Sequence, residues 1–321
     1  MAGRFQLGWM RMDRRRFVGT VAMAAAGGWS IRAETVPGRT GCGLAIGTYG
    51  LQSMRLGEAV RLIADTGYDA VEISAMPGTT GDPSGLPTAD REQLRSIIDG
   101  SGLRLCGIMA HLEPQRLDAD HRAQLADLRH LIHLGHRLSP ERPPVVQTVL
   151  GGKSWEESRD LFRDRIADWV QVAEDQRGTI SVKPHRHHAM ALPEQARWLI
   201  SQLGSPARLG MVFDYSHYAF HDPELTVGAM VAESAPSTNY VAVKDAVLEA
   251  GKVHFALVGE GGSWDHADIV AAFHAKGYRG DFCCEVSSQI WRADGYDAVE
   301  TTKRCYANLK AAFERAGVAR G

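Results

Sequence analysis

Eight times between residues 43 and 286, a short run rich in β-branched and apolar residues gives way to a longer amphipathic one. The runs are GLAIGTY (43–49), DAVEIS (69–74), LRLCGIM (103–109) and PVVQTVL (144–150). TISVKPH (179–185), LGMVFDY (209–215), YVAVKD (240–245) and DFCCEV (281–286) complete the set. The intervening segments carry apolar residues at helical spacing, as in Phe162, Ile166, Trp169 and Ala173. Several end on a glycine where a left-handed cap is expected, at Gly67, Gly102, Gly204 and Gly277. Strands that alternate with helices pair in parallel through right-handed crossovers. An open doubly wound sheet typically uses about five to seven strands and a glycine-rich first turn. No GxGxxG follows the first run, and eight units close a barrel. The expected fold is therefore α/β, a (β/α)8 barrel forming a single domain over residues 39–321. The chain has 321 residues; barrels of about 250 residues fold as one unit, so this length does not demand a second domain.

Residues 1–38 read as an address followed by a linker. DRRRFVG (13–19) leads into the mildly apolar VGTVAMAAAGGW, with the next charge at Arg32. A charged start, a short apolar core and then polar residues describe an export signal, too short for a membrane span. Arg14 and Arg15, with Phe17 beyond one intervening residue, are similar to a twin-arginine signature. The expected location is periplasmic or otherwise extracytoplasmic, with no stable membrane insertion once the signal is removed.

Lys and Arg number 36 against 38 Asp and Glu, a net charge of −2, and they are scattered. That pattern offers no electrostatic footprint for nucleic acid or an anionic membrane. The five cysteines, Cys42, Cys106, Cys283, Cys284 and Cys305, are odd in number and show no CxxC or finger spacing, which argues against a zinc ribbon or a disulfide framework. Cys283 and Cys284, adjacent in an apolar run, read as buried small apolar residues, and oxidation of one pair after export stays open.

In a barrel of this kind chemistry sits at the C-terminal ends of the strands. Reading that edge gives Glu72, then His111, then Lys183 with His185. Asp214 with His217, Lys244 with Asp245, and Glu285 follow, and Trp291 beyond the last strand reads equally as a face for stacking a sugar or as a packing residue. Acids and cations placed at ends of apolar strands need partners, because burying an unpaired charge is costly. Glu285 and Lys183 are the residues expected to carry the chemistry. Glu72, His111, His217, Lys244 and Trp291 are expected around the substrate. His121, His130, His133 and His136 fall in a helical stretch and read mostly as surface residues.

These residues resemble the xylose isomerase-like barrel superfamily of sugar isomerases and epimerases over about residues 43–317. DAVEIS, the D-x-x-H of FDYSHY, VKD, VGEGGSWDHADIV and Glu285 carry the likeness. The K-x-H at strand 5 is similar to an exported bacterial branch with altered metal ligands. The resemblance implies a divalent metal held by Glu, Asp, His and Glu on strands 5 to 8. Asp214 and Glu285 match that pattern, while Lys183 and Ala242 stand at the other two positions. A protonated lysine cannot ligate an ion. One arrangement rebuilds a site for Mn, Zn, Mg or Fe from His185, Asp214 and Glu285, with His217 or Glu72 in support; this is the expected cofactor. In the other, the Lys183 ammonium stands where the metal charge would be.

Either arrangement supports proton transfer alpha to a carbonyl. The expected function is a sugar isomerase or epimerase acting on a small carbohydrate or keto-sugar. A lyase acting on 3-keto-glycosides or keto-inositols, and a non-catalytic carbohydrate-binding barrel, are the alternatives. The sequence excludes nucleic acid as the main partner and leaves room for a homo-oligomer.

Overall fold

The computed structural model describes residues 40–221 and 226–321. The export signature of residues 1–38 lies outside the described residues. Eight parallel strands close on themselves: β1 (Gly43–Gly47), β2 (Ala70–Ser74), β3 (Arg104–Ala110), β4 (Val145–Thr148), β5 (Thr179–Val182), β6 (Leu209–Phe213), β7 (Thr238–Val243) and β10 (Asp281–Cys284), which returns to β1. Every expected strand is present within a few residues of its reading. A two-stranded antiparallel hairpin, β8 (Asp245–Glu249) and β9 (Lys252–Ala256), stands outside the barrel.

The outer layer is built from α1 (Leu56–Thr66), α2 (Thr88–Ser101), α3 (Asp118–Leu138), α4 (Trp155–Gln176), α5 (Pro193–Gln202), α6 (Val227–Ser234), α7 (His266–Ala275) and α9 (Ala298–Ala316). The short α8 (Ser288–Trp291) follows β10. On α4, Phe162, Ile166, Trp169 and Ala173 are all buried, as their spacing requires of a stripe facing the sheet. Gly67 ends α1 with φ 101°, a backbone state costly for any residue with a Cβ. Among the described residues no helix is long and apolar enough to cross a membrane. Cys106, Cys283, Cys284 and Cys305 are free thiols.

Outward strand residues such as Leu44, Ile46, Val71 and Phe282 join the main core under the helices. The inward set, Ala45, Ala70, Val212, Tyr240, Ala242 and Cys283, forms a second and smaller cluster along the barrel axis. Small residues there leave room for large polar ones. A Cβ on Gly107 would stand 2.8 Å from the Tyr240 ring, and one on Gly47 would stand 2.8 Å from Glu72 Oε1.

Two sequence readings are corrected here. His121 is buried and hydrogen-bonded to Asp168 at 2.8 Å, because α3 turns its first coil toward α4. The residue facing the mouth from β7 is Lys244, not Ala242. Sheet register sets Ala242 beside Cys283, and side chains alternate along a strand. Ala242 therefore lies one layer deeper, and Lys244 is the next inward position.

Candidate active site

Each charged residue of the mouth sits just past the end of its strand, where the ladder holds the backbone and frees the side chain. The Lys183 N–H donates to the Thr148 carbonyl at 2.8 Å, and the Glu285 N–H donates to Val243 at 3.0 Å. The Asp214 N–H donates to the Tyr218 phenol oxygen at 3.0 Å. Four side chains then meet in a closed ring. Lys183 Nζ lies 2.8 Å from Asp214 Oδ2 and 2.5 Å from Glu285 Oε2. Lys244 Nζ lies 2.5 Å from the same Asp214 oxygen and 2.8 Å from Glu285 Oε1. Ser216 Oγ donates to the other Asp214 oxygen at 2.6 Å.

Three of the four are nearly sealed from water, Asp214 at 0% exposed, Lys183 at 3% and Lys244 at 2%, while the Glu285 side chain keeps 11% of its surface open. Buried charges persist only when paired and hydrogen-bonded, and here two acids cancel two ammonium groups. Burial pulls the Lys183 pKa down, but Asp214 and Glu285 together outweigh it and hold the amine protonated. Burial likewise pushes Glu285 up, and Lys183 and Lys244 reverse the effect, bringing it to about 2. The same two cations drive Asp214 well below the usual carboxylate range against the pull of burial.

Two neutral imidazoles lie against this ring. His217 Nε2 is 3.1 Å from Lys244 Nζ; burial, then Lys244, hold its pKa well below the ordinary value. With Nε2 accepting from the ammonium, the proton belongs on Nδ1, which has no hydrogen-bond partner. The His185 ring lies 3.9 Å from that of His217, centroid to centroid. Burial, then Lys183, bring His185 to about 3. It arrives there by a turn after Pro184 rather than along the strand, its N–H donating to Met190 at 2.9 Å. Its Nδ1 is engaged with the Arg186 carbonyl at 2.7 Å.

The other sequence candidates divide by depth. Glu72 is buried below the mouth, its Oε2 accepting from Gln147 at 2.9 Å and from the Tyr240 hydroxyl at 2.7 Å. Burial raises it to about 7, with those two bonds opposing. His111 stands at the rim, bonded to Glu113 at 2.8 Å. It shares a cleft of about 540 Å³ with Tyr49, Gln52 and Trp291. Trp291 meets Tyr49 edge to face at 5.4 Å. Asp245 points away from the mouth, accepting from Gly261 and bonding His266, both at 2.7 Å.

Phe255 on β9 is a contact that the sequence reading did not include. Lys244 Nζ lies 5.0 Å from its ring centroid, and the His217 ring stands against it at 5.2 Å. The Phe255 N–H donates to Gln289 Oε1 at 2.9 Å, which pins the hairpin to α8. The hairpin turns at Ala250 and Gly251, with φ 48° and 75°; of the two only Gly251 marks a turn in the sequence, because alanine is not among the residues that favour a positive φ.

Asp214, His217 and Glu285 bring ligand atoms within 4.8 Å of one another, so donors suited to a divalent ion are together. Their charge state is not suited to one. Asp214 Oδ2 and both Glu285 oxygens already take ammonium groups, and His217 Nε2 contacts Lys244. An ion about 2.1 Å from those oxygens stands within about 5 Å of two ammonium groups. Repulsion from each is about 7 kcal/mol at an effective dielectric constant of about 20.

An eight-stranded barrel with a convergent charged cluster at the carboxyl ends of its strands defines the enzyme-bearing α/β barrels. More narrowly, this chain belongs to the xylose isomerase-like TIM barrel family, whose model matches residues 60–311. No curated protein matches the chain. Among solved structures it is similar to an L-ribulose 3-epimerase, with 21% identity and a TM-score of 0.66 over 86% of this chain and 96% of that one. It is also similar to a 3-keto-D-glucoside 4-epimerase from E. coli, with 14% identity and a TM-score of 0.63 over 84% and 98%. A xylose isomerase-like TIM barrel/4-hydroxyphenylpyruvate dioxygenase fusion protein matches at 20% identity and a TM-score of 0.67, over 85% of this chain. The chain spans 43% of that fusion. At these identities the likeness is one of fold.

Proposed function

We propose that this chain is a sugar isomerase or epimerase that moves a proton alpha to the carbonyl of a sugar or keto-sugar. The observation that carries the reading is Glu285, a carboxylate at the barrel mouth clasped by the ammonium groups of Lys183 and Lys244. Abstraction of an α-proton needs a base and, within reach of it, positive charge for the developing enediolate oxygen. Glu285 is the base. At rest the two ammonium groups hold it ionised and only weakly basic. As charge develops on the substrate oxygen, Lys183 and Lys244 redirect donors toward it, and Glu285 gains basicity while it takes the proton. Neutral His217 and His185 offer imidazole nitrogens to sugar hydroxyls, and Phe255 narrows the entry of water. Trp291 and His111 at the rim extend the site for a ring.

Because the acids cancel the lysines, the mouth carries no surplus positive charge for a phosphate, which favours uncharged sugars. The proposal that the chain works outside the cytoplasm rests on the N-terminal sequence alone. The fold likeness to a 3-keto-glucoside epimerase makes 3-keto-glycosides the first members of a substrate panel. Incubation of that panel in D2O should place deuterium beside the carbonyl of at least one member. Loss of the aglycone instead would identify the lyase reading. Binding without any solvent exchange across keto-sugars, 3-keto-glycosides and keto-inositols would leave a carbohydrate-binding barrel.

A further inference from the structure

We infer that Lys183 and Lys244 replace a resident divalent ion in this chain, so that Asp214, His217 and Glu285 hold two fixed ammonium groups instead of a metal. The family resemblance leads to the expectation of an ion at this mouth, and the side chains answer it with a different charge carrier.

Three observations converge. First, the donors that converge here are engaged: one lysine nitrogen reaches Asp214 and Glu285, the other reaches Asp214, Glu285 and His217. Second, the count closes. Two carboxylates and two ammonium groups sum to zero in a site that is almost fully buried. Adding a divalent ion would leave the buried cluster with an uncompensated +2. Third, the lysines are placed by the fold and not by chance rotamers. Lys183 follows β5, and Lys244 is the inward residue one step past Ala242. The Lys244 ammonium is further covered by the Phe255 ring at 5.0 Å, a contact that favours a cation at that point.

This deepens the proposed function, on which its catalytic meaning rests: the two ammonium groups supply the charge that an ion would otherwise bring to the enediolate. An ammonium also donates hydrogen bonds, and its proton can follow the oxygen. A site of this kind binds an oxygen carrying negative charge without needing two adjacent oxygens to chelate an ion.

The test begins with elemental analysis of the full purified chain after dialysis against Mn2+, Zn2+ and Mg2+ separately. The expected result is well under one ion per chain, no shift of thermal midpoint with added ion, and no loss of solvent exchange in EDTA. About one ion per chain, removed by EDTA together with a fall in thermal midpoint, would overturn the inference. Lys183→Glu and Lys244→Met provide the reverse experiment. Either change makes the cluster net negative, by −2 and −1 respectively. Either folded variant should take up about one Zn2+ or Mn2+ per chain and gain a metal-dependent thermal shift. A folded variant of each kind that still ignores the ions would also overturn it. If neither variant folds, the wild-type stoichiometry decides alone. The functional reading fails separately: metal-free protein that exchanges no proton sinks the enzyme, whereas stoichiometric metal with exchange sinks only the ammonium substitution.

Discussion

Lys244 Nζ faces Glu285 Oε1 at 2.8 Å, across the neighbouring strands β7 and β10 that set Cys284 beside Val243. One residue beyond the paired stretch, the two side chains turn inward together, and the pair is drawn into a ring by Asp214 and Lys183. Lys244→Met keeps most of the stem volume and removes the charge. It leaves the two acids with one cation between them, and breaking one partner of a buried pair costs about 3–5 kcal/mol. Urea unfolding should show a loss of that size in metal-free buffer. Solvent exchange into substrate should fall about 10²–10³-fold, the range for removing one electrostatic donor. A stability change below about 1 kcal/mol would mean that Lys244 is not integral to the ring.

The barrel was legible because its signal is repeated: eight apolar runs, each with a helix of recognisable period behind it. The ring was only partly legible. Asp214, Glu285 and Lys183 stand out as charges ending apolar strands. The pairing of Lys244, in place of Ala242, depends on which face each residue of β7 takes. A register shift in β6 against β7, between Met211 and Val212, makes that parity hard to count from the chain. The hairpin β8–β9 lay in a stretch that a strand–helix reading assigns to a connection, so Phe255 was passed over. His185 reaches His217 only through the turn after Pro184, and such a turn has no periodicity to read. Glu72 looked like a mouth residue by sequence position, but Tyr240 and Gln147 hold it one layer lower.

Glu285→Gln should retain the barrel and lose turnover. The amide accepts hydrogen bonds through one atom but cannot take a proton, and a positioned base contributes about 10²–10⁴ to the rate. Exchange measured by NMR in D2O should fall within that range, with circular dichroism unchanged. Wild-type exchange in this variant would remove Glu285 from the chemistry.

Phe255→Ala tests whether the hairpin does more than decorate the mouth. The ring touches both Lys244 and His217, while the barrel strands close without it. Loss of the cation–π contact should lower stability by about 0.5–2 kcal/mol. Admitting water beside the lysines should slow exchange about tenfold, equivalent to about 1.4 kcal/mol in the barrier. An unchanged rate would show that the ring does not shield the reacting centre.

Glu72 gives a pH dependence of stability with a definite sign. Burial raises its carboxyl from 4.5 to about 7, so the folded chain holds this proton after the unfolded chain has released it. Its stabilising contribution is complete below about pH 4.5, declines through the window between the two values, and is gone above about 7. A gap of that width corresponds to about 3 kcal/mol. The acids with depressed values, Asp214 and Glu285, act at lower pH and with opposite sign, since their contribution is lost only on acidification. Glu72→Gln should erase the slope. Its amide oxygen still accepts from the Tyr240 hydroxyl, and no proton is exchanged. Urea unfolding of both proteins at pH 5 and pH 7.5 isolates most of the effect as a difference, in which the wild type loses about 2.4 kcal/mol relative to the variant. Parallel behaviour of the two proteins across that interval would mean that Glu72 is ionised in the barrel throughout. Its charge would then have to be balanced by Lys183, in whose field it already lies.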